Sequence, residues 1–261
     1  MYKRRLIPVL FLKDGWMVRS QGFSMHQYIG DPVSHVERMM QWDVDELIVL
    51  DIGDGEMSFE HQRTDYRTKP VATMLDFIDL IAVQCQMPLT FGGRIRTVDD
   101  IRQRIRHGAD KVAVNSLLAE APATVHEAAT IFGSQAIVAS IDYRIVDGVA
   151  KVFAGGRRAV DADAVSWARR AADHGVGEIL LNAMDRDGTA TGYDLGVINA
   201  VAEAVEIPVI ACGGAGHQRH FLDVYQKTAA SAAAAGNIYH FKENAYPLAK
   251  EFLKRQLPDI R

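Results

Sequence analysis

One aspartate occupies a position suited to acid–base chemistry. Asp142 directly follows an apolar run, and a carboxylate at the end of a buried strand points into a ligand pocket, where it can donate or accept a proton. Asp51 ends another apolar run, and Asp187 follows a third at a turn. Because buried aspartates at strand ends also cap loop amides, both interpretations stay open for Asp51. We predict that Asp142 is catalytic.

Two glycine pairs have the placement of anion-binding turns. Gly92-Gly93 and Gly213-Gly214 each end a strand-like run and precede a helix-like segment. Glycine there lets backbone N–H groups approach an anion, and the next helix adds its dipole. One unit later the chain carries the small residues Asn115-Ser116 and Gly236-Asn237, again 121 positions apart. We therefore predict one phosphate site in each half of the chain.

Four charged residues open predicted strands: Arg5, Glu46, Lys111 and Glu178. In a barrel, the first residue of a strand lies at the N-terminal end, which usually serves stability. Charges of alternating sign there can form a ring of salt bridges that plugs the barrel. From spacing alone, a structural plug is the favoured interpretation.

Short apolar runs alternate with helix-like segments along the whole chain, as in a parallel sheet buried on both faces. Helix start signals include Asp31-Pro32 and Asp161. A closed (β/α)8 barrel and an open, doubly wound sheet would both fit this alternation. The predicted strands are Arg5–Leu12, Glu46–Ile52, Met87–Phe91, Lys111–Asn115, Ala136–Asp142, Glu178–Met184, Pro208–Cys212 and Ser231–Ala235.

An internal repeat favours the barrel. The stretch that begins at Glu46 recurs at Glu178, and the turn Lys13-Asp14-Gly15 recurs as Val146-Asp147-Gly148. We therefore predict one α/β domain over residues 1–261, a TIM barrel built from two duplicated half-barrels. A polar segment at 56–74 is extra in the first half, and it is either a solvated loop or a substrate-contacting lid.

Composition excludes several classes of protein. A net charge of −4 argues against a dedicated nucleic-acid binder, and no apolar run reaches the roughly 18 residues of a membrane span. Only Cys85 and Cys212 are present, which fits a reducing cytoplasm. We find neither a dinucleotide fingerprint nor a zinc pattern, and we predict no cofactor and no metal.

Long stretches of the chain resemble one family, the cyclase subunit of imidazole glycerol phosphate synthase (HisF-type). They are KDG at 13–15, DELIVLDI at 45–52, GADKVAVNS at 108–116, FGSQAIVASID at 132–142, GEILLNAMDRDGTATGYD at 177–194, GGAG at 213–216 and HF at 240–241. The resemblance implies a (β/α)8 barrel that receives ammonia from a glutaminase subunit docked on its N-terminal face. It also implies that ammonia crosses the barrel, along an axis we expect to be polar, and meets a bisphosphorylated ribulosyl substrate.

The resemblance assigns roles to residues. Arg5, Glu46, Lys111 and Glu178 match the family's gate for ammonia, Asp142 matches its general acid, and Arg19 stands where the family carries a lysine that assists ring closure. The predicted phosphate- and substrate-binding residues are Asp51, Gly93, Arg94, Asn115, Ser116, Asp187, Gly188, Gly214, Gly236 and Asn237.

Departures from the family fall at the reacting end. The family's second catalytic carboxylate lies two residues before KDG, and this chain has Phe11 there. Loss of such a group typically costs a factor of about 100 to 10,000. Arg94 replaces a third glycine, Gly236-Asn237 replaces the usual Ala-Ser, and Cys212 replaces a serine.

Three hypotheses follow. The first is an ammonia-channelling paralogue that works with a glutaminase and a sugar amidotransferase to make acetamidino sugars for surface polysaccharides. This hypothesis accounts for Phe11, Arg94, the extra segment and the retained gate together. The second is an authentic cyclase-lyase of histidine biosynthesis, and the third is a non-catalytic scaffold that activates a glutaminase.

Overall fold

Twelve strands and ten α-helices make up the computed structural model, which describes residues 3–53, 73–83, 85–241 and 243–261. The strands are β1 (Arg5–Lys13), β2 (Trp16–Gln21), β3 (Met25–Gly30), β4 (Leu47–Asp51), β5 (Leu89–Gly92), β6 (Lys111–Val114), β7 (Ile137–Val146), β8 (Val149–Ala154), β9 (Arg158–Asp163), β10 (Glu178–Ala183), β11 (Val209–Cys212) and β12 (Ala232–Ala235). The helices are α1 (Pro32–Gln41), α2 (Met74–Ala82), α3 (Val98–Arg106), α4 (Ser116–Glu120), α5 (Pro122–Phe132), α6 (Ala164–Asp173), α7 (Leu195–Ala204), α8 (Gln218–Lys227), α9 (Ile238–Phe241) and α10 (Ala245–Gln256).

Eight of the strands close into a parallel barrel. The order β1-β4-β5-β6-β7 continues through β10, β11 and β12 back to β1, and the pairing of β7 with β10 completes the ring. The predicted (β/α)8 fold is confirmed, and the open sheet is excluded. All eight predicted strands are present, with boundaries that differ by a few residues.

Alternation along β1 shows how the barrel is packed. Leu6, Leu10 and Leu12 belong to the core between strands and helices, whereas Ile7 and Val9 belong to a separate cluster inside the barrel. Because successive side chains of a strand point to opposite faces, a continuous apolar run fills both layers.

Two hairpins, which were not predicted from the sequence, extend the barrel strands beyond the mouth. Strand β1 continues into antiparallel β2 and β3, and β7 continues into antiparallel β8 and β9. Both first turns use an Asp-Gly pair with positive φ, at Asp14-Gly15 and Asp147-Gly148. The equivalent geometry supports the predicted duplication.

Helix starts follow local capping chemistry. Asp31 caps α1 as predicted, with Pro32 in the first turn. The start predicted at Asp161 is wrong, because Asp163 caps α6 and residues 158–163 form β9. Alternation of residue types from 158 to 163 was too short to separate this strand from the helix that follows it.

Candidate active site

Asp142 lies at the mouth of the barrel on β7, with 5% of its surface exposed. Its Oδ2 accepts a hydrogen bond from Nδ2 of Asn115 at 2.8 Å, and its Oδ1 accepts one from Nδ2 of Asn182 at 2.9 Å. Burial raises the pKa of Asp142 to about 6, the charge of Asp187 acts in the same direction, and the two amides oppose the rise. A carboxyl group that titrates near neutral pH is suited to general acid–base catalysis.

Phe11 stands across the barrel from Asp142, since β1 and β7 are four strands apart in either direction. The Phe11 side chain is 4% exposed, and its ring meets that of Phe23 edge-on with centroids 5.7 Å apart. Leu50 and Cys212 belong to the same apolar cluster. This side of the mouth is therefore apolar and offers no proton-transfer group at residue 11.

The mouth hairpin, formed by β2 and β3, reaches across the barrel opening. Asp187 accepts from the backbone N–H of Phe23 at 3.1 Å through Oδ2, and from that of Gly22 at 2.8 Å through its carbonyl oxygen. Asn237 donates from Nδ2 to the carbonyl oxygen of Ser20 at 2.6 Å. Burial raises the pKa of Asp187. Two residues predicted to bind substrate therefore hold the mouth hairpin in this structure.

The first glycine turn, Gly92-Gly93, lies against Asp51. Gly93 has φ +104°, and a Cβ there would lie 2.3 Å from the carbonyl oxygen of Asp51, so no other residue fits without a shift. Arg94 follows in the left-handed region at φ 55°, and its Nε contacts Oδ2 of Asp51 at 2.5 Å. Burial raises the pKa of Asp51, whereas Arg94 and the N–H of Gly53 lower it. The turn therefore carries a cation already paired with a buried carboxylate.

The second glycine turn, Gly213-Gly214, has a similar backbone and different surroundings. Gly214 has φ +103°, and a Cβ there would lie 2.1 Å from the carbonyl oxygen of Gly192. Gly236, one unit later, lies beside Phe11, whose Cε2 would be 3.7 Å from a Cβ at that position. Arg19 holds its guanidinium over the ring of Phe241 at 5.2 Å, at the end of the short helix that follows Asn237.

Asn115 and Ser116 lie between the first glycine turn and Asp142. The Asn115 side chain is engaged at both ends, because Oδ1 accepts from the N–H of Gly155 at 2.8 Å while Nδ2 donates to Asp142. The hydroxyl of Ser116 lies 3.1 Å from where a Cβ of Gly155 would be. The predicted phosphate contact of Asn115 would therefore have to come from its backbone.

The four predicted gate residues form a closed ring at the opposite end of the barrel. Arg5 contacts Glu46 at 2.6 Å and Glu178 at 2.5 Å, and Lys111 contacts the same two glutamates at 2.9 and 2.7 Å. The glutamate side chains are 2% and 6% exposed, against 16% and 20% for the two cations. Beneath the ring lies a cavity of about 490 Å³, lined by residues that include Lys3, Arg5, Lys111, Gln135 and Glu178.

The interior between the ring and Asp142 is mainly apolar. Its cluster comprises Ile7, Val9, Phe11, Val18, Ile48, Ala113, Val138, Leu180, Ile210, Cys212, Ala232 and Ala234. Our prediction of a polar axis is wrong, because inward positions of parallel strands are filled by apolar side chains in layers. Thr90, which donates to Glu46 at 3.3 Å, is a polar residue just above the ring.

Asn182 and Phe23 were not predicted as site residues from the sequence. Asn182 lies in a run of buried residues on β10, and a buried asparagine in such a run is an unusual choice that could have marked it. Phe23 lies in a hairpin that was not predicted. The segment 56–74, interpreted as a loop or lid, falls almost wholly outside the described residues. Within the described ranges, no three His, Cys, Asp or Glu side chains group as metal ligands, and no helix is both long and apolar enough to cross a membrane.

Comparisons with known proteins agree with this geometry. A family model described as histidine biosynthesis protein matches residues 5–245. The chain is 40% identical over 263 residues to imidazole glycerol phosphate synthase subunit HisF of Hydrogenobaculum sp. (strain Y04AAS1), covering 100% of both chains. It is 39% identical to the subunit of the same name from Anoxybacillus flavithermus and 38% identical to that from Streptococcus mutans, again over 100% of both chains.

Proposed function

This chain belongs to the family of imidazole glycerol phosphate synthase cyclase subunits (HisF), and we propose that it joins ammonia to a bisphosphorylated ribulosyl substrate at the barrel mouth. The observation that carries the proposal is Asp142, a buried carboxyl group with a pKa of about 6 held between two amides. Ammonia adds to a carbonyl to give a carbinolamine, and formation of the C=N bond then expels the hydroxyl as water, for which the departing oxygen needs a proton. Asp142 is the group that supplies it.

The two glycine turns would hold the substrate's phosphates. Gly93 and Gly214 lie at the ends of β5 and β11, which are four strands apart in the ring, so the two turns face each other across the mouth. A substrate with a phosphate at each end would span the mouth and pass Asp142. Arg94 adds a cation near the first turn.

Ammonia would enter from the N-terminal face. The cavity beneath the ring leads to Arg5 and Lys111, and a glutaminase subunit docked there would release ammonia into it. Ammonia is neutral and small, so an apolar interior admits it while excluding ammonium, whose desolvation is costly. Opening the ring requires breaking at least one of its salt bridges.

The ammonia-channelling paralogue for sugar amidination, with a sugar amidotransferase as a further partner, is the second candidate. It is favoured by Phe11, which puts an aromatic ring where the family resemblance implies a carboxylate. The comparisons favour the cyclase, because the relatives that match over the full length are named as synthase subunits.

An ammonia-dependent cyclase assay separates the candidates. The purified chain, with ammonium salt as the nitrogen source, would be given the synthase substrate beside the Hydrogenobaculum subunit as positive control. Turnover by wild type that is lost in Asp142→Asn supports the cyclase. No turnover by wild type, together with turnover by Phe11→Asp and none by the apolar control Phe11→Leu, would overturn it in favour of the paralogue. Stimulation of a glutaminase without product from any phosphosugar would support the scaffold.

A further inference from the structure

The two amides that bind Asp142 differ in their freedom to turn. Asn115 accepts from the N–H of Gly155 at one end and donates to Asp142 at the other. An amide has its acceptor and its donors on different atoms, so turning the Asn115 amide would break both bonds. Asn115 is therefore locked as a donor to Oδ2 of Asp142.

Asn182 is buried, with 4% of its surface exposed, and lies directly opposite Asp142 in the parallel register of β7 and β10. Its Nδ2 donates to Oδ1 of Asp142. Within the described part of the chain, this is the one hydrogen bond of the Asn182 side chain. Rotation of the Asn182 amide therefore breaks only the bond from Nδ2 to Asp142. When Asp142 is protonated, Oδ1 of the rotated amide can replace that bond by accepting from the carboxyl O–H.

A general acid passes through two protonation states in each turnover, and each state needs different partners. Ionised Asp142 accepts from both amides, as observed. Protonated Asp142 carries an O–H on one oxygen, and that group needs an acceptor, because a buried donor without one is costly. Asn115 cannot present its Oδ1, so the proton belongs on Oδ1 of Asp142, facing Asn182.

We propose that Asn182 is the positioning residue of Asp142: it donates to the ionised carboxylate and, after its amide turns by half a rotation, accepts from the protonated one. The inference rests on the proposed acid–base role of Asp142. Other groups near Asp142 do not serve this purpose. The carboxylate of Asp187 accepts from the mouth hairpin, and Cys212 is a buried thiol whose pKa is raised by burial.

Titration of Asp142 tests the proposal without requiring turnover. The carboxyl band of Asp142 would be followed by infrared difference spectroscopy against pH, with Asp142→Asn as the blank. In Asn182→Leu, which removes donor and acceptor but keeps the number and branching of the side-chain heavy atoms, the midpoint should rise by about one unit or more, because a bond to the charged form is lost. Asn182→Thr supplies a hydroxyl that both donates and accepts, so its midpoint should lie between those of wild type and Asn182→Leu. Cys212→Ala, a neighbouring change that alters no bond to Asp142, should leave the midpoint in place.

The results of this titration can be distinguished from those of the cyclase assay that tests the proposed function. An unchanged midpoint in Asn182→Leu, or an equal rise in Asn182→Thr, would overturn the positioning role. If Asn182→Leu does not fold, Asn182→Ala provides the same comparison with Asn182→Thr. Shifted midpoints in a protein that makes no cyclase product would leave the positioning role standing and overturn only the cyclase. With turnover, the pH profile of kcat should move with the spectroscopic midpoint.

Discussion

The two half-barrels place very different chemistry at one backbone position. Phe11 pairs with Leu50 in the register of β1 and β4, and Asp142 pairs with Asn182 in the register of β7 and β10. A third residue lies beside each of these pairs: Gly236 beside Phe11, and Asn115 beside Asp142. Phe11 therefore has apolar or glycine neighbours, whereas Asp142, at the equivalent position of the other half, lies between two amides. Duplicated backbone geometry preserves positions without preserving chemistry.

At the N-terminal end of the barrel, by contrast, equivalent positions of the two halves carry the same residue type. Glu46 immediately precedes β4 and Glu178 opens β10, the equivalent strand 132 positions later, and both glutamates make the same contacts in the ring. Both cations, Arg5 and Lys111, come from the first half. The ring is therefore a joint product of the halves, whereas the acid belongs to the second half alone.

Removing the acid should have the largest effect. We expect Asp142→Asn to lower kcat for ammonia-dependent turnover by a factor of about 100 to 10,000, because the amide cannot transfer the proton. Steady-state kinetics with saturating ammonium salt would measure it, with circular dichroism to check the fold. A loss of less than about tenfold would show that the two halves do not differ in catalytic role.

A carboxyl group at position 11, on the apolar side of the mouth, should lower the stability of the fold. We expect Phe11→Asp to lower the free energy of unfolding by about 3–5 kcal/mol, since it removes a buried ring and inserts a carboxyl group beside Phe23 and Leu50. Urea unfolding would measure the change, and Phe11→Leu, which stays apolar, should cost about 1 kcal/mol. Equal costs for the two variants would mean that this side of the mouth is already solvated.

Asp142 should also make stability depend on pH. Its pKa in the folded chain is about 6, above the value of about 3.9 for an unfolded aspartate. The folded state therefore binds the proton more tightly, so this contribution is fully present below about pH 4 and is lost as the pH rises through about 6. Relative to wild type, Asp142→Asn should become more stable by up to about 3 kcal/mol between pH 4 and pH 7.

Urea unfolding of both proteins at several pH values would measure that difference, and taking the difference cancels the other carboxylates. A stability difference that does not change with pH would place the folded-state pKa near its ordinary value. It would then weaken the contrast between the two sides of the mouth.

Breaking the shared ring should have the smallest effect. We expect Lys111→Met to lower the free energy of unfolding by about 2 kcal/mol, because the two buried glutamates keep Arg5 as the one cation of the ring, while the partly buried lysine loses little else. With ammonium salt as nitrogen source, turnover at the far end should stay within about twofold of wild type. A large loss of ammonia-dependent turnover would instead couple the two ends of the barrel.

Much of the fold was predictable because its signals are local. Eight apolar runs, the recurrence of Glu46 at Glu178, and caps such as Asp31 belong to short stretches of chain. The hairpins were missed because Trp16–Gly30 and Val149–Asp163 contain mixed polar and apolar residues, and their pairing depends on strands already in place. The placement of Asp142 at the barrel mouth was also predictable, since this residue ends an apolar run.

The sequence by itself determined the barrel, its duplication and the residues at each strand end, because strand periodicity and turn chemistry are properties of neighbours along the chain. Tertiary structure alone decided which side chains meet. It brought Asn115 and Asn182 to the two oxygens of Asp142, closed the ring of Arg5, Glu46, Lys111 and Glu178, and lined the axis with apolar groups. Those contacts join residues 27 to 173 positions apart. The strand registers that bring these residues together are set only when the eight strands close into the barrel.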